Sequence, residues 1–571
     1  MQERLLAVAR GDAKADLVFR GGRVVDVFTG AVIEADVAVV DGVVASVGPP
    51  REAERVIDAG GRILVPGLMD AHVHLESSMV TPYEYARAVV PRGTTTVVAD
   101  PHEVANVSGI EGVEWILTGS EGLPLEIMVM APSCVPATHL ATAGAELDAE
   151  DLAGLAGHPR VIGLAEVMNV PGCVLGDSGV HAKMDVFTGK PVDGHGPGLT
   201  GDWLQAYVAA GVGTDHETIT PDEALEKLRL GMRVWFREGT GARNLVDLLP
   251  VVTAANSRRC GFCTDDRHPH DLLDDGHMDH LVRLAVATGL DAVTAIQMTT
   301  INIAEAYDLG DRGAVAPGRR ADIVICSSLE GFCAEWVFVA GEEVARNGET
   351  VGSWAPPLVD GSAVAKEPQV DLEDLDLRIA DPESAVRIIS LVPGQIVTEE
   401  IIDRLPAEDG VLVADRDRGI VKLAVIERHR GTGNVGLGFL KGLGTIDGAI
   451  AATIAHDHHN LIIAGGDDIS MKTAAAEIVR MGGGAVVTRG ENVLAELPLP
   501  YAGLMSELSL AEVRVQLDAL SRAAMDCGAD HADPLMALSF VALEVIPTLK
   551  LTDQGLVDVE KFDFVPLAVD D

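Results

Sequence analysis

Pro66-Gly-Leu-Met-Asp-Ala-His-Val-His-Leu-Glu-Ser-Ser78 comes after an apolar stretch, Arg62-Ile-Leu-Val65, that reads as a strand. On a strand alternate side chains share one face, so His72 and His74 point the same way at its end. Two neutral imidazoles so placed are a natural pair of metal ligands. A His-x-His alone occurs in many settings. It gains weight here because further His and acidic residues recur at the ends of later strand-like segments.

From 62 to about 265 the chain repeats strand, loop, helix. After the strand at 62–65 that leads to His72, the candidates are Thr94–Asp100, Leu125–Ala131, Val161–Val167, a short segment ending at His195, Val212–His216, Met232–Glu238 and Cys260–Asp265. Strands separated in this way by mostly helical segments predict a (β/α)8 barrel, in which chemistry sits at the C-terminal strand ends. Those ends carry His72 and His74, Asp100, Glu166, His195, His216, Glu238 and Asp265.

On either side the pattern turns to β. The first 60 residues alternate short apolar runs with turns at Gly21-Gly22 and Asp41-Gly42. Strands at Ala321–Ile325 and Glu335–Val339 resume that character. The expected fold is α/β: a (β/α)8 metal-dependent hydrolase barrel, 62–309, inserted in a small β-sandwich domain made of 1–61 and 310–350. Residues 350–370, rich in Pro, Gly and Ser, read as a linker. An α/β C-terminal domain, 370–571, comes next, with strands at Ile420–Glu427 and Leu461–Ala464 and helices at Asp447–Ala455 and Ser470–Arg480.

Composition excludes several classes of function. With 43 basic against 87 acidic residues the formal charge is −44, the wrong sign for gripping a nucleic-acid backbone. No apolar run reaches the ~18 residues of a membrane span. The charged N-terminal MQERLLAVARGDAKADL lacks the apolar core of a signal peptide. Seven scattered cysteines suit a reducing compartment better than a disulfide framework. The expected location is cytoplasmic.

A catalytic dinuclear centre needs several His and carboxylate ligands around an open position for water. His72 and His74 begin the set. Glu166, ending Val-Ile-Gly-Leu-Ala-Glu, would bridge two ions. A carbamylated lysine cannot fill that role, since no lysine lies between Lys14 and Lys183. His195 and His216 add imidazoles from later strands, and Asp265 adds a carboxylate from the last. Taken singly, each could be an ordinary hydrogen-bonded or ion-paired residue; their gathering at one barrel mouth is what argues for a metal. Of Asp265 and Asp266 one is functional and the other supports it; Asp265, ending the strand, is the expected ligand.

These residues resemble the amidohydrolase superfamily, and within it the bacterial and archaeal adenine deaminases. The resemblance rests on PGLMDAHVHLESSM (66–79), GTTTVVADPHEVANVSG (93–109), GLAEVMNVPG (163–172), GHGPGL (194–199), GVGTDHE (211–217), REGT (237–240) and FCTDDRHPHDL (262–272). GAIAATIAHDHHN (448–460) and GGDDISMKTAA (465–475) resemble that family's additional domain. His458 departs from it, standing where a small polar residue is expected. The resemblance implies hydrolysis of adenine to hypoxanthine and ammonia in purine salvage, manganese or iron as the metal, and a homodimer; the thiolate-free donor set leaves zinc possible, and charge and hydropathy speak against nucleic-acid and membrane partners.

In that chemistry attack at C6 breaks ring aromaticity, so an acid must protonate N1 while another group carries the water's proton to the leaving amine. Asp265 is the candidate carrier. Glu103, Glu238 and Glu217 are candidates for the N1 acid, with Asp100, His102 and Asp266 as supporting or substrate-contacting groups. Two other readings are a cyclic-amide hydrolase of the dihydroorotase or hydantoinase kind and a non-catalytic scaffold. The missing lysine and CTDDRHP count against the first, and the complete ligand set against the second.

Some signals carry less. Cys260 and Cys263, on a strand, face opposite ways. The glycines of Gly431–Gly436 lack a nucleotide-binding context. His456, Asp457, His458 and His459 have the side chains to bind a metal, but read rather as loop and capping residues or as lining for the entrance to the barrel site.

Overall fold

A computed structural model describes residues 2–393, 395–531 and 533–569. Five parallel strands, Leu68–Val73, Thr94–Ala99, Glu126–Ala131, Val161–Val167 and Val192–Gly194, pair in chain order, as do Thr214–Asp215, Arg233–Arg237 and Cys260–Cys263. Two seams join these sheets into a barrel. At one, Gly213 N–H donates to the Val192 carbonyl at 2.9 Å; at the other, Asp265 N–H donates to the His72 carbonyl at 3.0 Å. The second seam is pinned by buried Asp70, which accepts from the backbone N–H of His72 at 3.2 Å and of Thr264 at 3.1 Å.

The strands are buried on both faces, as parallel strands under helices must be. Met69, Ala71, Val98, Met128, Met130, Ala165, Trp235 and Cys263 share one buried cluster. The alternate residues Val97, Ile127, Val129, Leu164, Phe236 and Phe262 belong to the larger core. Tyr307 plugs the first cluster: its hydroxyl lies 2.9 Å from the Ala71 carbonyl and 3.0 Å from Asp193, and accepts the Trp235 indole N–H at 3.2 Å. The plugged barrel leaves its other end for chemistry.

The strand expected at 62–65 as the barrel's first has a different place. Ile63–Pro66 lies in the outer nine-stranded sheet, between Ala15–Asp26 and Ile323–Cys326. Gly67 then turns the chain into the first barrel strand, packed where a side chain would strike Thr95. Entry to and exit from the barrel are thus neighbouring strands of one sheet. A helix, Gln2–Arg10, precedes that sheet, where sequence alone suggested only β structure.

After the segment at 350–370, the C-terminal residues build a second nine-stranded sheet. The helix expected at Asp447–Ala455 is instead a strand, Ala449–Ala452, hydrogen-bonded between Leu461–Gly465 and Gly484–Arg489. Alanine favours helix intrinsically, but here its small side chain lets the helix Asp468–Met481 lie close on the sheet, with Ala449 and Ala451 against Met471, Ala474 and Ile478. Tertiary packing overrides propensity. Among the described residues no helix is long and apolar enough to cross a membrane.

Candidate metal centre and catalytic cavity

The open end of the barrel gathers imidazoles and carboxylates from different strands. His72 Nε2 and His74 Nε2 stand 3.1 Å apart, and lie 3.3 and 3.2 Å from Asp265 Oδ1. Glu166 Oε1 is 3.4 Å from His74 Nε2, while its Oε2 is 2.6 Å from His195 Nδ1 and 3.3 Å from His216 Nε2. Glu166 thus reaches the first imidazole pair with one oxygen and the second with the other. All these side chains are buried.

The donor set fits divalent ions. His74 Nδ1 stands 3.0 Å from the Asp100 carbonyl, which can only accept, so Nδ1 carries a proton and Nε2 faces Asp265 and Glu166, as an N–H in the ion-free ring and as a ligand lone pair once an ion takes that proton's place. Buried imidazole nitrogens crowded against one another and against two carboxylates are balanced by positive charge, which a bound dication can supply in place of protons on the rings. His72, His216 and Asp265, and separately Glu166, His195 and His216, bring ligand atoms within 4.8 Å of one another. Nitrogen and oxygen ligands without thiolate suit a transition dication.

Local structure holds each ligand. His195 N–H donates to the Tyr207 hydroxyl at 3.2 Å, and that hydroxyl donates to the Val167 carbonyl at 2.6 Å, tying the fifth strand end to the fourth. Asp215, next to His216, accepts from Gly196 N–H at 2.8 Å and pairs with buried Lys227 at 2.9 Å. Lys227 also reaches Glu223 and the Gly196 carbonyl. Asp265 has a left-handed backbone, φ 56°, unusual for a residue with a side chain.

Burial raises a carboxyl's pKa, yet two of these carboxyls go the other way. For Asp265, burial is outweighed by the Arg237 charge and by hydrogen bonds with His72 and His74, which hold it well below the usual carboxylate range. For Glu166, burial is outweighed by His195 and His216. Arg237 is a site residue that motif spacing does not single out. Its Nη1 meets Asp265 Oδ2 at 2.8 Å, and its two terminal nitrogens grip the Glu217 carboxylate as a fork. A cation closing the apolar run Val234-Trp-Phe236 was the signal available.

The remaining candidates separate. Glu103, Glu217 and Asp266 line the cavity in front of the ligands. Asp266 accepts from the Ser77 hydroxyl at 2.5 Å. Asp100 braces His102, accepting its N–H at 3.1 Å and facing its Nδ1 at 3.0 Å. Glu238 turns toward Arg243, 3.9 Å away, and is not among the cavity-lining residues; burial pushes its carboxyl up to about 7. Glu76, not singled out from sequence, is buried beside Glu103; burial, then the Glu103 charge, raises it to about 7.

The C-terminal residues complete the cavity. Ile396, Phe540, Leu543 and Ile546 form an apolar wall, and His456 lies stacked on Phe540, ring centroids 4.5 Å apart. Nothing in the chain's local patterns matches this wall to the barrel, because its parts are distant in sequence.

The chain is similar to known proteins over nearly its whole length. Residues 63–344 match the amidohydrolase family, and residues 395–563 match the adenine deaminase C-terminal domain. An adenine deaminase of Desulfatibacillum aliphaticivorans is 48% identical over 99% of this chain and 100% of its own length. Adenine deaminase 2 of Carboxydothermus hydrogenoformans is 47% identical, covering 99% of each chain. Among solved structures, an enamidase of the amidohydrolase superfamily is 17% identical with a TM-score of 0.45, over 58% of this chain and 96% of that one.

Proposed function

The chain belongs to the adenine deaminase family, and from that membership we propose that its barrel mouth hydrolyses adenine to hypoxanthine and ammonia. The observation that carries the reading is the meeting of His72, His74, His195, His216, Glu166 and Asp265 at the floor of one cavity. His72, His74 and Asp265 would hold one ion and His195 and His216 the other, with Glu166 between them. That set suits manganese, iron or zinc, and the family resemblance favours manganese or iron. Bound there, the metal would supply an acidified water, its pKa brought toward ~7.

The protein's own groups manage the protons. Asp265 takes the proton of the attacking water and delivers it to the amine leaving C6. Arg237 keeps that carboxylate aimed while leaving Oδ1 toward the imidazoles. The ring nitrogen that must be protonated as C6 becomes tetrahedral takes the water's second proton, and its new N–H donates to the Glu103 carboxylate, which faces the cavity and is held ionised by His456 and His459. Glu217, gripped by Arg237, is an acceptor for the purine's N–H edge. Ile396, Phe540 and Leu543 exclude water and cover a flat base. The same reading extends to a homodimer located in the cytoplasm.

Ammonia release and hypoxanthine formation from adenine by Mn(II)-loaded protein test this, beside a His72→Ala/His74→Ala control. Turnover lost in the control supports both substrate and site. No turnover by protein shown to contain metal overturns the adenine assignment.

A further inference from the structure

The Glu103 carboxylate belongs to the barrel, but its partners come from the other end of the chain. Glu103 opens the helix His102–Ser108 after the second barrel strand. His456 Nδ1 lies 2.8 Å from its Oε1, and His459 Nε2 contacts its Oε2. All three side chains are buried. This contact joins residues 353 positions apart.

The tautomers show what kind of contact it is. His459 Nδ1 accepts the Ala455 N–H at 3.3 Å, so in the neutral ring the proton sits on Nε2 and points at Glu103. His456 Nδ1, facing a carboxylate oxygen, is likewise a donor. With both facing nitrogens turned on the carboxylate as N–H, neither keeps a lone pair for an ion, and Glu103, His456 and His459 form a clamp, hydrogen-bonded at His456 and ion-paired at His459, although their ligand atoms are close enough to hold a metal. The clamp is built rigidly. His456 is stacked on Phe540, and its N–H donates to the Ser539 carbonyl at 3.0 Å. His459 adopts a left-handed backbone, φ 53°, and its N–H donates to the Ala455 carbonyl at 2.7 Å. Asn460 ties the segment back to the barrel through the Thr142 carbonyl at 2.9 Å.

We propose that His456 and His459 are positioning residues that the C-terminal domain carries into the barrel mouth to fix the Glu103 carboxylate against the substrate. The acid–base machinery is then complete only with that domain docked. This rests on the deaminase reading, in which Glu103 serves the ring nitrogen.

The test is a mutant cycle in full-length, metal-loaded protein, read as kcat and KM for adenine together with metal bound per chain. His456→Ala and His459→Ala should each lower kcat roughly tenfold to a hundredfold, with KM and metal content near the parent's. His456→Asn keeps an N–H where Nδ1 stands, and His459→Gln keeps one where Nε2 stands; both should recover most of the loss. In a Glu103→Gln background either alanine change should cost little more, since groups acting through one residue are not additive. Additive losses, unchanged kcat, or a fall in metal content with either histidine would overturn the proposal, the last by making the cluster an ion site. If the parent itself does not turn over adenine, the functional reading falls instead. The same cycle in urea midpoints then judges the clamp, and additivity between Glu103 and His459 rejects it.

Discussion

At the scale of single residues, Arg237 bears the most. Two buried carboxylates, Glu217 and Asp265, rely on its guanidinium. Arg237→Gln should destabilise the fold by about 3–5 kcal/mol, the cost of stranding buried charge, read as a lowered urea midpoint, and should depress kcat beyond any change in KM. Arg237→Lys should recover the charge but not the fork, and so regain only part of kcat. Glu238 offers a pH test. Its carboxyl titrates near 7 folded against 4.5 ordinarily. Between those values the folded chain keeps a proton that the unfolded chain releases, so stability is full below about 4.5 and is lost as pH rises through 7. Glu238→Gln should therefore be more stable than the parent at pH 8, by up to about 3 kcal/mol, and the two should converge below pH 4.5. Parallel melts across that range decide it, and a gap that does not depend on pH rejects the assignment.

At the scale of elements, strand ends were legible and their bracing was not. Polar residues closing apolar runs, such as Glu166 after Val161–Ala165 and Asp265 after Cys260–Cys263, stand out because a charge at a buried strand end has to be met by a partner or an ion. Ala449–Ala452 could not be read this way, since its strand state comes from neighbours on both sides rather than from alanine itself. The function of Lys227 was equally hidden: on its helix Pro221–Arg229 it stands after Glu223 at the spacing of an ordinary surface pair, yet it is fully buried and holds the loop between His195 and His216. Lys227→Met should cost about 3–5 kcal/mol and lower metal content, as Asp215 and Glu223 lose their cation and the Gly196 turn loosens. Calorimetry with metal analysis checks both; full metal content at a lowered melting temperature would confine Lys227 to stability.

At the scale of the whole molecule, the C-terminal domain is docked by buried polar bonds as well as by its apolar wall. Asp553 accepts from Thr142 N–H at 2.8 Å and its hydroxyl at 2.7 Å, and meets Asn434 and Asn460. Asp553→Ala strands these donors at about 1–3 kcal/mol each. The expected outcome is a lower melting temperature and faster proteolysis between the domains, with a raised KM for adenine as the cavity wall loosens. An unchanged KM at lowered stability would separate docking from substrate binding. Such long-range pairings were illegible in sequence, where nothing near Thr142 announces Asp553. The outer sheet has another consequence, one of timing. Ile63–Pro66 is hydrogen-bonded to Ile323–Cys326, a partner made about 260 residues later. At roughly 5–20 residues per second of synthesis, that edge waits about 13–50 seconds on the ribosome before its neighbour exists. A nascent chain of this protein must keep an apolar strand covered for that long, so assistance from chaperones during translation should matter more to its yield than assistance after release.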